Sequence, residues 1–287
     1  MICAVACGWL GSRIEKKRKE REAVEAIIKL RGNAYYDYEL DRGNPNHDPP
    51  GPEWLRKLLG ENLFSDVSVV LLRNVAKPRI ECVEPLTQLH MLRLDGSNVT
   101  DADLARLEGL INLDYLELSG TKVTDDGLEH LTGLSKLQEL RLNETAVSDI
   151  GLIRLKRLTQ LRELSLCATK VTDNGLMHLK GMTNLKGLLL MDMKITDAGL
   201  ANLESLTQLE WLWLARTDIT DAGLEHLKGM TQLQELVLHG TNITDAGLES
   251  LKGLAQLQTL NLGKTHVTGA GVANLQKALP KCNILTE

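Results

Sequence analysis

The chain predicts an α/β solenoid, with a parallel β-sheet along one side and short helices along the other. Two observations predict it. Gly127, Gly151, Gly175, Gly199, Gly223, Gly247 and Gly271 stand 24 residues apart, as do Leu113, Leu137, Leu161, Leu185, Leu209, Leu233 and Leu257. Within one period the spacing of apolar residues also changes. In the unit Leu137 to Gln160, Leu140 and Leu142 alternate with Glu139 and Arg141, as in a half-buried strand, whereas Leu152, Leu155 and Leu158 fall at helical spacing. A unit of strand, turn, helix and turn cannot bury its own apolar face. Stacked copies bury one continuous core.

Eight such units run over residues 89–281, after an atypical first unit over 64–88, and residues 282–287 read as a closing strand. Strands stack about 4.8 Å apart and helices about 8–10 Å apart, so the stack must curve with its sheet on the hollow side. Within the unit, Thr124, Thr172, Thr196, Thr220 and Thr244 precede the helix as N-caps. Asp125, Asp149, Asp173, Asp197, Asp221 and Asp245 follow, where negative charge suits a helix N-terminus. The recurrent glycine is expected to let helix and sheet approach closely.

The repeat Leu-x-x-Leu-x-Leu-x-x-Thr-x-Val/Ile-Thr-Asp-x-Gly-Leu-x-x-Leu-x-x-Leu resembles the leucine-rich repeat, and more narrowly its ribonuclease-inhibitor-like class, found in F-box proteins and in bacterial repeat proteins. The resemblance covers about two-thirds of the chain. It implies a right-handed horseshoe with a concave parallel sheet and convex helices. One departure is Thr121, Thr145, Thr169, Thr217, Thr241 and Thr265 in place of an asparagine ladder, with hydroxyls expected to bond turn amides.

The front end reads differently. Ile2 to Leu10 is apolar and too short to span a bilayer, which takes about 20 residues. Residues 1–12 are therefore either the tail of a membrane anchor that begins further upstream, with Trp9 and the basic cluster at the headgroup level, or a short packed or disordered end. The protein is accordingly expected to be membrane-tethered if such an anchor exists and cytoplasmic otherwise. A lipoprotein-like Ala4-Val5-Ala6-Cys7 lacks the basic stretch such a signal needs. Residues 13–63 read as a basic helix and a small α/β cap: a helix over Arg13 to Leu30, a strand over Ala34 to Leu40, a loop over Asn44 to Pro52, and a helix over Glu53 to Leu59 that closes the open end of the solenoid.

Composition narrows the function. The net charge is −5, and eight basic residues stand against four acidic ones between Gly11 and Gly32, leaving the rest of the chain at −9. That excludes a general nucleic-acid binder. Cys3, Cys7, Cys82, Cys167 and Cys282 form no metal-type cluster and read as reduced or buried thiols, with Cys167 the more open. His130, His178 and His226 recur every second unit, too far apart to share a metal ion. No catalytic constellation is present, and neither enzyme activity nor a cofactor is expected.

The strand positions that vary between units face the hollow side. All three aromatic residues of the eight units, Tyr115, Trp211 and Trp213, fall there. Leu189, Met191, Trp211, Trp213 and Val237 are expected to form one apolar patch, rimmed by Glu163, Glu235, Arg216 and His239. Tyr115, Glu139 and Arg141 extend the same face, and Glu117, Glu139 and Glu163 form a solvated acidic row that could draw a basic partner. The function expected is recognition of a protein partner by a monomeric module. A structural, envelope-organising scaffold is the alternative. An F-box-like adaptor is a weaker one, because no F-box-like helical segment precedes the repeats.

Overall fold

The computed structural model describes residues 2–40 and 48–287. Among these residues one sheet of eleven strands runs in chain order: β1 (Asn33–Tyr36), β2 (Val67–Leu71), β3 (Met91–Arg93), β4 (Tyr115–Glu117), β5 (Glu139–Arg141), β6 (Glu163–Ser165), β7 (Gly187–Leu189), β8 (Trp211–Trp213), β9 (Glu235–Val237), β10 (Thr259–Asn261) and β11 (Asn283–Leu285). It is parallel from β2 to β11, with strict residue-for-residue register across the repeats. The first strand departs from the expectation, since β1 pairs antiparallel to β2. The central leucine of each strand, such as Leu140, Leu164 and Leu212, is fully buried.

The convex side carries short segments. One or two turns of α-helix, such as Asp173–Leu176 and Asp221–Leu224, run on into 3-10 helix. In Gly127–Leu131 and Gly247–Leu251 the whole segment is 3-10. The spacing of the buried leucines suits this geometry. Leu128 and Leu131 within the first of these segments, and Leu134 just beyond it, are three apart, which matches 3.0 residues per turn better than 3.6.

The caps are as expected. Thr124, Thr172, Thr196, Thr220 and Thr244 each accept the backbone N–H two residues on, at 3.2–3.4 Å. The aspartate does more than meet a helix dipole. Asp173 accepts from the backbone N–H and hydroxyl of Thr196, one repeat later, and Asp197 does the same to Thr220, Asp221 to Thr244 and Asp245 to Thr268. Each rung ties consecutive repeats. This corrects the reading of the recurrent glycine: a Cβ at Gly175, Gly223 or Gly271 would collide with the aspartate of the preceding repeat, so the missing side chain makes room for the rung. The second threonine series is corrected too. Thr121, Thr145 and Thr217 are buried and donate to the carbonyl of Leu118, Leu142 and Leu214 instead of accepting from turn amides, whereas Thr265 donates to Leu262 and also accepts the Val267 backbone N–H at 3.5 Å as expected.

These bonds make one rung sensitive to acid. The Thr268 hydroxyl and backbone N–H hold the Asp245 carboxyl below its ordinary 3.8. A carboxylate whose folded pKa is lowered stabilises the fold above 3.8, and that contribution is lost as pH falls through the folded value. Thermal melts should therefore show wild type more stable than Asp245→Asn near neutral pH, with the gap closing below 3.8.

The amino-terminal region closes the first repeat differently from expectation. One helix, α1, runs unbroken from Ile2 to Lys29, so residue 12 marks no break in it. The strand expected over Ala34 to Leu40 ends at Tyr36, and Asp37–Leu40 turns as α2. The helix α3 spans Glu53–Leu59 as expected but does not cover the open end, since Trp54 and Leu58 are 67% and 71% exposed. The cover is α1, whose Ala23 and Ile27 join the core beside Val67 and Ile80. Residues 44–47 of the expected loop lie outside the described residues.

The basic charges of α1 are largely paired within the chain. Lys17 and Glu20, 7% and 2% exposed, bond each other at 2.7 Å. Lys17 also reaches Asp66 at 2.9 Å and the Ser65 carbonyl, while Lys16 and Arg13 meet Asp66 at 3.1 and 3.5 Å. Arg18 pairs with Glu15 and Glu22. No helix among the described residues is long and apolar enough to cross a membrane.

Candidate binding face

The outward strand positions form two rows across the sheet. Register places Glu139, Glu163, Gly187, Trp211 and Glu235 side by side in one row. Arg141, Ser165, Leu189, Trp213 and Val237 lie side by side in the other. Trp211 and Trp213 are half-buried and stand outside the leucine core, as do Leu189, Met191 and Val237. Leu189, Trp213 and Val237 are direct neighbours on β7, β8 and β9, and Trp211 adjoins them. The expected patch is therefore assembled on one face.

Gly187, which sequence reasoning passed over, shapes it. A Cβ there would lie 3.0 Å from Glu163 Cγ and 3.3 Å from Trp211 Cε3. The six-membered ring of Trp211 thus leans over the neighbouring strand, towards Glu163. The single small residue in a row of large ones was the available signal. The indole nitrogen of Trp213 is shut off from solvent with no hydrogen-bond partner among the described residues.

The amino-terminal half of the face is polar, and it corrects the expected acidic row. Glu117 is buried rather than solvated, 4% exposed, between Arg93 and Arg141 at 3.9 Å each. Arg93 also meets Asp95, which meets Arg73. Arg141 lies 5.6 Å from the centre of the Tyr115 ring and 2.5 Å from Glu139, but 3.7 Å from Glu163. Three guanidinium groups thus face four carboxylates in an interleaved network. Burial pushes the Tyr115 phenol up to about 12. Burial also raises the Glu163 carboxyl, and the adjacent Glu139 adds to the rise.

The rim is uneven. Arg216 is committed to Asp192 by a two-pronged pairing. His239 lies over Gly263, close to the Glu287 carbonyl. Glu235 is half-buried, and its carboxylate has no partner among the described residues. Cys167 faces the same side but is buried, not open, and burial raises its thiol. Its backbone N–H donates to the Asn143 side chain.

A leucine-rich-repeat family model matches residues 207–267, and a second matches residues 109–131. The repeat body is a leucine-rich-repeat solenoid. Among solved structures, internalin C2 of Listeria monocytogenes is similar at 27% identity and a TM-score of 0.52, over 65% of this chain and 84% of that one. Internalin F of the same organism aligns at 23% identity and a TM-score of 0.32, over 80% of this chain and 92% of that one. A comparison with curated proteins finds no match.

On the convex side of the leucine-rich-repeat body, His130 and His226 each meet a carboxylate of the preceding repeat, Glu108 and Glu204, at 2.6 and 2.5 Å. Among the described residues no three His, Cys, Asp or Glu side chains converge as a metal site.

Proposed function

We propose that this chain is a non-enzymatic recognition module that binds a protein partner on the concave face, centred on β7, β8 and β9. The observation that carries the reading is the placement of both solenoid tryptophans, with Leu189 and Val237, outside the core on adjacent strands. Apolar patches with polar rims mark interaction surfaces. Tryptophan is prominent among the residues that dominate binding energy. Met191 extends this apolar centre, and Tyr115, Glu139, Arg141, Glu163, Glu235 and His239 border it and supply its polar contacts. Within the fold, the 24-residue period and helical convex side support assignment to the ribonuclease-inhibitor-like class.

The test is photo-cross-linking from position 189 on the concave face and from position 153 on the convex face, in the cells that produce the chain. Position 189 should give a discrete protein adduct that position 153 does not. Trp211→Ala with Trp213→Ala should abolish that adduct while leaving the melting transition cooperative. An adduct that survives both substitutions, or that forms only from position 153, places recognition elsewhere.

A further inference from the structure

The row Glu163–Gly187–Trp211–Glu235 presents an aromatic side chain between two carboxylates that lack full compensation. Glu235 is unpartnered among the described residues. Arg141, the cation nearest to Glu163, is spent on Glu139 at 2.5 Å and stays 3.7 Å from Glu163. On the flanking positions Lys186 is committed to Glu210 at 2.6 Å and Arg216 to Asp192. Burial raises the Glu163 carboxyl, and the adjacent Glu139 adds to the rise. Over Gly187, which is buried, the Glu163 side chain and the Trp211 ring draw together, so that carboxylate and indole stand side by side.

We infer that the concave face takes a basic segment of its protein partner, with a Lys or Arg side chain seated against Trp211 between Glu163 and Glu235. An ammonium or guanidinium group is attracted both to an indole face and to a carboxylate. One cation entering the row meets both. The adjacent row of Leu189, Trp213 and Val237 takes an apolar side chain of the same segment. A chain of net charge −5 also favours approach of a basic partner over an acidic one. The inference rests on the proposed docking face and adds to it the chemistry of what docks.

The probe is an acetylated, amidated peptide of alternating Leu and Lys. At about seven residues it is about 23 Å long when extended, enough to cross β6 to β10 at about 4.8 Å per strand. Matched peptides carry Gln or Glu in place of Lys. Calorimetry on the full chain should show the Lys peptide binding and the other two binding about tenfold more weakly or not at all. Added salt should weaken the Lys peptide. Glu163→Gln with Glu235→Gln should raise its Kd about tenfold or more. Glu108→Gln with Glu204→Gln, which removes the same charge from the convex side, should not.

Equal binding of the Lys and Gln peptides, both lost in Trp211→Ala with Trp213→Ala, overturns the cation and leaves the docking face standing. Equal losses in the two carboxylate pairs, preference for the Glu peptide, or no binding by any peptide also overturn the cation. The docking face itself is judged by the cross-linking from position 189, which uses no peptide.

Discussion

Replacing Lys17 by Met should detach the amino-terminal helix from the end of the solenoid at a cost of about 3–5 kcal/mol, the range for a buried ion pair that loses one partner. Lys17 is the hub of its cluster, bonding Glu20 and Asp66 at 2.7 and 2.9 Å together with the Ser65 carbonyl. Asp66 would keep Lys16 and Arg13. Glu20 would not be so compensated. It is 2% exposed, and its remaining bond is from the Val67 backbone N–H at 3.2 Å. Burial already raises the Glu20 carboxyl, with Lys17 opposing the rise. Without Lys17 the folded pKa must climb further above 4.5.

An acid whose folded pKa is raised binds more protons when folded, so the variant should recover stability as pH falls through that value. Hydrogen exchange reads the effect directly. Amides of α1 and β1 should lose about two to three and a half orders of magnitude of protection, with those of β6 to β9 unchanged, because repeat arrays open locally. Lys17→Met with Glu20→Gln should regain most of the loss. A cost under about 1 kcal/mol for Lys17→Met alone, the level of an exposed pair, would mean that Ala23 and Ile27, with the Lys16 and Arg13 pairings to Asp66, hold the helix without it.

That pair also shows where the sequence stopped being legible. Lys17 and Glu20 sit three apart in a run of alternating charge, and such a run reads as a solvated helix face. Only the fold brings Asp66 and Val67, about fifty residues away, onto the same spot. For the same reason, closure of the open end was expected from Trp54 and Leu58, which are apolar but exposed. The strands of the solenoid were legible because side chains alternate with period two and the repeat length preserves the register. Both rows of the concave face could thus be written down from residue numbers.

What the period does not contain is which neighbours compensate one another. Arg93 and Arg141 bury the Glu117 carboxylate and turn an expected acidic row into a mixed network. The left-handed turn residue of each repeat was equally hidden. Gly96, Gly120 and Gly240 announce it, but Glu144, Ala168, Asp192, Arg216 and Lys264 adopt the same positive φ. The stacked turn amides, such as Arg216 N–H to the His239 carbonyl at 2.8 Å, hold them there.

Gly271→Ala should be destabilising on its own and stabilising once Asp245 is removed. Gly271 lies in the helix Gly269–Ala278 with ordinary helical geometry, so propensity alone favours Ala by about 1 kcal/mol. Against that, the nearest atoms a Cβ would meet all belong to the Asp245 carboxyl group. That carboxylate cannot withdraw without giving up the Thr268 backbone N–H and hydroxyl, each at 2.7 Å. Overpacking of this kind costs about 1–3 kcal/mol, enough to reverse the sign.

In an Asp245→Ala background the collision is gone and only the propensity gain remains. The two substitutions should therefore be strongly non-additive in a double-mutant cycle measured by denaturant melts. If the helix instead needed glycine for close approach to the sheet, Gly271→Ala would be equally harmful in both backgrounds and the cycle would close with no coupling. Coupling, with Gly271→Ala turning favourable once the carboxylate is gone, would establish that the glycine repeats because the aspartate one unit earlier does. The two residues are then one device, a rung and the gap it fits, and the 24-residue period is the spacing of those rungs.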